Sequence, residues 1–141
     1  MIVLLDTNIL SELVRPAPAK QVENWLAGQP VASVFISAIT EAELRYSAAL
    51  LPAGSRRASL AAAIAALLEI DFAGRILPFD SAAAIAFAGI AAARRAAGRP
   101  ISQADARIAA IARSRGAALA TRNAPDFDLC GLEIINPWRT G

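Results

Sequence analysis

Four acids stand where an acid can do chemistry: Asp6, Glu43, Asp105 and Asp126. Asp6 follows Ile2-Val-Leu-Leu5, a short apolar run that reads as a strand buried on both faces of a parallel sheet. The carboxyl edge of such a sheet is where open α/β folds bind ligands. Glu43 closes Thr40-Glu-Ala-Glu43 and Asp105 closes Ser102-Gln-Ala-Asp105, both capping-box patterns. Singly, each acid is explained as a helix cap or a first-turn residue. Gathered unpaired at one edge, they would repel one another and raise their pKa values. A bound cation removes that penalty, and oxygen-only ligands suit Mg²⁺ or Mn²⁺. Carboxylate-held Mg²⁺ keeps several waters, and one of these can become the nucleophile of phosphodiester hydrolysis, with one ion or two. Thr7, Asn8, Thr121 and Asn123 flank the acids and are candidates to hydrogen-bond the ligands or a water. Arg45 and Arg122 are the candidates to meet a substrate phosphate.

The elements that must position these groups alternate along the chain. Residues 2–5 form the first strand and Thr7 to Val14 a short helix, stopped by Arg15-Pro-Ala-Pro18. Lys20 to Ala27 is a helix ended by Gly28, and 31–37 is a second strand around Val34-Phe35-Ile36. Thr40 opens a helix to about Leu51, and 55–70 is a long Ala/Leu-rich helix. Arg75 to Phe79 is a third, short strand, and Asp80 or Ser81 caps a helix running to Ala97 and Gly98. Ser102 caps a helix to about Arg115; Ala117 to Thr121 and Leu132 to Ile135 are the last two strands. This order predicts one α/β domain over 1–141, a three-layer α/β/α arrangement around a mostly parallel sheet of about five strands. If strands one, two and four are parallel, Asp6, Glu43 and Asp126 project from one edge. Asp105 joins them because its helix leads back into strand four.

Composition narrows the chemistry further. The chain has no histidine, which excludes Ser-His-Asp and Cys-His nucleophilic sites and His-ligated zinc. The lone Cys130 can form no internal disulfide, which fits a reducing compartment. The longest apolar stretch, Ala82 to Ala93, is 12 residues, and a membrane span needs about 20. No basic segment precedes the first apolar run, so the expectation is a cytoplasmic protein with no membrane partner. The net charge of +2 gives no strong polyanion signal, and Lys20 is the only lysine beside thirteen arginines.

The same residues carry a family resemblance. Leu4-Leu-Asp-Thr-Asn8 before an apolar helix resembles the first motif of PIN-domain nucleases. Ile36-Ser-Ala-Ile-Thr-Glu-Ala-Glu-Leu44 is similar to the second, with Glu43 rather than Glu41 as its acid. Ile101 to Ala110 resembles the third, with Asp105 as its acid, and Ala120 to Phe127 the fourth, its polar position filled by Asn123 or Asp126. The similarity spans nearly the whole chain and lies nearest the FitB-like branch of VapC-type toxins; Arg75 to Asp80 and the closing Asn136-Pro-Trp138 add to it. The resemblance implies a Rossmann-like PIN fold and an Mg²⁺- or Mn²⁺-dependent endoribonuclease toxin. In that reading Asp6, Glu43 and Asp105 hold metal and Asp126 supports a ligand or orients water. It also implies a homodimer or dimer of dimers, silenced by a cognate antitoxin that covers the acidic pocket and makes any contact with promoter DNA. A second reading is an antitoxin-binding module of a DNA-regulating complex with little or no nuclease activity. A haloacid-dehalogenase-type phosphatase would want Asp where Asn8 stands, a receiver domain a late lysine, and no Gly-rich phosphate loop is present. A homodimer also follows from helices 55–70 and 82–97, which carry more apolar surface than one small sheet can cover.

Overall fold

The first apolar run forms strand β1 (Val3–Leu5), every side chain of which is buried because the strand serves two cores. Val3 and Leu5 enter one apolar cluster and Leu4 the other, as the two-residue period of a strand requires. Strand β2 (Val34–Ser37) divides in the same way: Val34 and Ile36 face one cluster and Phe35 the other. The computed structural model describes residues 1–139.

With β3 (Ile76–Leu77), β4 (Ala118–Ala120) and β5 (Ile134–Ile135), these strands form one sheet in the order β3-β2-β1-β4-β5. Every pairing is parallel, so the sheet is wholly rather than mostly parallel among the described residues. One face carries α1 (Thr7–Leu13), α2 (Lys20–Ala27), α3 (Ala38–Ala49) and α4 (Ser55–Ala66) over Ile9, Leu10, Val22, Leu44 and Ile64. The other carries α5 (Ser81–Ala96) and α6 (Gln103–Ser114) over Ala83, Ile90, Ile108 and Ile111. Alanines at 109, 110 and 112 are fully buried, and their small side chains let α6 lie close to the sheet. Among the described residues, no helix is long and apolar enough to cross a membrane.

Several local expectations change, the first being that residues 31–33 of the predicted second strand form a 3₁₀ turn. The helix bearing Glu43 starts at Ala38, not Thr40, because Ser37 is its cap: the Ser37 hydroxyl accepts from the Thr40 amide at 3.0 Å. Glu43 therefore stands in the second turn, and the Thr40 hydroxyl is left available for another partner. Ser37→Ala is expected to cost about 1–2 kcal/mol, read as a lower midpoint in urea unfolding with an unchanged slope. The predicted helix 55–70 stops being α-helical at Ala66 and finishes as a π turn, Leu67–Asp71, that buries Leu68. Helix α5 ends where its sequence says, with Gly98 at φ 70°, a conformation a side chain would strain.

Candidate active site

Strand β1 lies mid-sheet, and the chain crosses it to build the two halves on either side. Its carboxyl end is thus the switch point at which parallel α/β sheets open a crevice. Asp6 occupies that end and is 5% exposed. Its Oδ1 accepts from the Thr7 amide at 2.8 Å. Its Oδ2 accepts from the Thr121 hydroxyl at 2.7 Å and from Asn8 Nδ2 at 3.2 Å. Thr121 in turn accepts from the Asn123 amide at 3.1 Å and from Asn8 Nδ2 at 3.3 Å. Thr7, Asn8, Thr121 and the Asn123 backbone thus hold one carboxylate in one orientation.

Glu43 reaches the same place from α3. The Thr7 hydroxyl donates to Glu43 Oε1 at 2.6 Å and lies 2.9 Å from the Thr40 hydroxyl. Thr7 has only one hydroxyl proton, given to Glu43, so Thr40 donates to Thr7 and Ser37 donates to Thr40 at 3.3 Å. The displaced cap is therefore the start of a hydrogen-bond chain that ends on Glu43, and such chains reinforce each member. Thr7→Val removes its last link. The circular-dichroism melt of that variant should be little changed, because the lost bond orients Glu43 and lies outside both apolar clusters.

Asp6, Glu43 and Asp105 line one cavity of about 410 Å³, together with Asn123, Arg122, Trp138, the α1 residues Thr7, Asn8, Ser11 and Glu12, and Arg15 just beyond α1. Burial, foremost, and the charges of Asp105 and Glu43 push the Asp6 pKa up to about 6, against the opposing bonds from Thr121 and Thr7. The Asp105 carboxyl is likewise raised, first by burial and then by the charges of Asp126 and Glu43; its Ser102 cap and Arg94 oppose this. The three acids stand close enough to feel one another as charges. Among the described residues they are not drawn into a closed cage of three ligands. Mg²⁺ needs no such cage, since it takes one or two carboxylates and keeps its waters. The hard oxygen donors of Asp6, Glu43 and Asp105, with the Asp6 and Asp105 carboxyls held above their usual range, are of the kind Mg²⁺ or Mn²⁺ takes.

Of the other predicted residues, Asp126 and Arg45 fall elsewhere. Asp126 lies in a short 3₁₀ turn, Ala124–Phe127, and does not line the cavity, although Asp105 senses its charge. Arg45 is turned outward, paired with Glu41 at 3.0 Å and Glu69 at 3.7 Å. Arg122 does stand at the cavity, stacked on Trp138. Two participants carried no motif. Glu12 is buried at the cavity wall, where Oε2 accepts from the Ala19 amide at 2.8 Å and Oε1 pairs with Arg15 at 3.2 Å. The helical spacing of Asn8, Ser11, Glu12 and Arg15 is the signal that could have found it. Arg94 is buried on α5 and holds the loop behind Asp105; nothing local in the sequence distinguishes it from its neighbour Arg95.

A wholly parallel sheet with acids meeting at the end of its central strand defines a PIN-like fold. A PIN domain model matches residues 3–128, and the chain belongs to that family. Within it, the chain is 40% identical to a VapC ribonuclease of Sinorhizobium fredii over 96% of its length and 97% of the relative's. It is 40% identical to toxin FitB of Neisseria gonorrhoeae over 96% of its own length and 98% of the toxin's. A solved structure of FitAB bound to a DNA fragment superposes with a TM-score of 0.91 at 38% identity, covering 99% of this chain and 98% of that one.

Proposed function

We propose that this protein is a metal-dependent endoribonuclease toxin held silent by a cognate antitoxin. The observation that carries the reading is Asp6: a buried carboxyl at the switch point, raised to about 6 while two further acids face the same cavity. Burial of a carboxylate beside two like charges is costly to a fold unless a cation compensates it. Asp6, with Glu43 and Asp105, would hold Mg²⁺ or Mn²⁺, which when bound supplies charge compensation and an activated water.

The chain's own residues then have distinct tasks. Thr121 and Asn8 fix Asp6 Oδ2, and the Thr7 amide fixes Oδ1, so the carboxylate cannot swing away from the cavity. The Ser37-Thr40-Thr7 chain does the same for Glu43. Arg122 places positive charge at the rim, where the RNA backbone must approach three acids. Asp126 acts at one remove, through its charge on Asp105. Relatives named VapC ribonuclease and toxin FitB support the activity and the toxin role. A FitAB complex on DNA supports an antitoxin partner that carries any contact with promoter DNA. Exposed Ile70 and Ile85 support a homodimer, and with no membrane-spanning helix among the described residues the proposed location is the cytoplasm.

The test is cleavage of RNA by the purified protein, freed of antitoxin, with Mg²⁺, with Mn²⁺ and with EDTA. Cleavage with either metal and none with EDTA is the expected result; equal cleavage in all three would overturn the metal-dependent reading.

A further inference from the structure

The acids account for one wall of the cavity and leave another unexplained. There Arg122 sets its guanidinium carbon 4.9 Å from the centroid of the Trp138 ring. Both residues are held by Asn136: its Oδ1 accepts from the Trp138 amide at 3.0 Å, and its Nδ2 donates to the Arg122 carbonyl at 3.4 Å. The Arg122 amide also donates to Asn8 Oδ1 at 3.4 Å, which ties this pair to the residue that orients Asp6. Trp138 is partly buried against the apolar cluster beneath the sheet face, whereas Arg122 is exposed. None of the ion pairs among the described residues engages Arg122. A planar cation is thus backed by an anchored indole, next to Asp6 and open to the cavity.

We propose that the Trp138-backed Arg122 guanidinium is a stacking subsite for one unpaired base beside the scissile phosphate. The inference rests on the ribonuclease reading and deepens it. Guanidinium planes stack nucleobases, and a base inside a duplex presents no free face to them. Stacking of this kind tolerates sequence but requires a base to be there. It also places a positive charge against the backbone at the point where the acids most repel it. Arg122 and Trp138 are positioning residues in this scheme; bond cleavage belongs to the acids.

The experiment measures binding without turnover. Short single-stranded oligoribonucleotides, each with one abasic ribose moved along the strand, are titrated against the full-length protein in EDTA. In the wild-type protein one abasic position should weaken binding about 10-fold. In Arg122→Ala and Trp138→Leu the same position should make no difference; Trp138→Phe should keep a smaller effect and guards against a Leu variant that fails to fold. An abasic penalty undiminished in Arg122→Ala, or no sensitive position in the wild-type protein, would overturn the subsite. Metal-dependent cleavage alongside that result leaves the ribonuclease reading standing, whereas absence of both RNA binding and cleavage removes the two together.

Discussion

Asp6→Asn is expected to abolish most RNA cleavage while leaving the protein as stable as before, or more so. Residues that merely orient a metal ligand already contribute about 10–100-fold to activity, so losing the central acid should reduce cleavage by more than about 100-fold. Stability should move the other way because the Asp6 carboxyl is raised from 3.8 to about 6 by burial and by Asp105 and Glu43. A group with a raised folded pKa favours the fold while it is protonated. That advantage is complete below about pH 3.8 and is lost as the pH climbs to about 6. Above that range the metal-free protein carries an unfavourable buried charge worth up to about 3 kcal/mol. Asparagine carries no such charge, though its amide matches the donors from Thr121 and Asn8 less well than a carboxylate does. The gap between variant and wild-type denaturation midpoints, measured in EDTA, should therefore shift in the variant's favour from pH 4 to pH 6.5 and then level off. A gap independent of pH would show that Asp6 is not charged at the expense of the fold. Added Mg²⁺ should close the gap from the wild-type side alone.

Arg94→Met is the second large effect, and it falls on stability. The Arg94 side chain is 5% exposed on α5 and carries no carboxylate partner among the ion pairs of the described residues. Its charge is instead satisfied by carbonyls: Nε donates to Arg99 at 2.6 Å, and Nη1 donates to Asp126 at 2.9 Å and Asp128 at 2.7 Å. One guanidinium thereby ties the end of α5 to the loop that follows β4. Methionine preserves the stem but removes all three bonds and leaves their acceptors without that donor. The expected loss is about 3–5 kcal/mol, read as a drop of roughly 10–20 °C in the thermal midpoint. Arg94→Lys should recover only part of it, because an ammonium cannot span the same carbonyls. Cleavage at 25 °C should also weaken, since Arg94 opposes the rise in the Asp105 pKa and holds the backbone of Asp126. A midpoint within 3 °C of wild type would show that the loop is held by other contacts.

What the sequence determined by itself is what depends on near neighbours. Apolar runs this short and this rich in branched residues favour buried strands, so β1, β2 and their two-sided burial were legible, as was Asp6 at the carboxyl end of β1. The Ser102 cap before Asp105 and the Gly98 stop were legible for the same reason: each is satisfied within a turn of itself. The absence of histidine excluded imidazole bases and ligands without reference to any fold. The tertiary structure decided everything that joins distant parts of the chain. Ser37 and Thr40 are both good caps, and the choice went to Ser37 because Thr40 also has to reach Thr7, 33 residues away. Arg94 and Arg95 are alike in sequence, and only the return of the 126–128 loop gives one of them three acceptors. Arg45 was drawn off by Glu41 and Glu69, while Arg122 was kept at the cavity by Trp138. Such bonds have no period along the chain, since their partners meet only when the sheet brings the ends of β2, β1, β4 and β5 side by side and packs the helices on its faces.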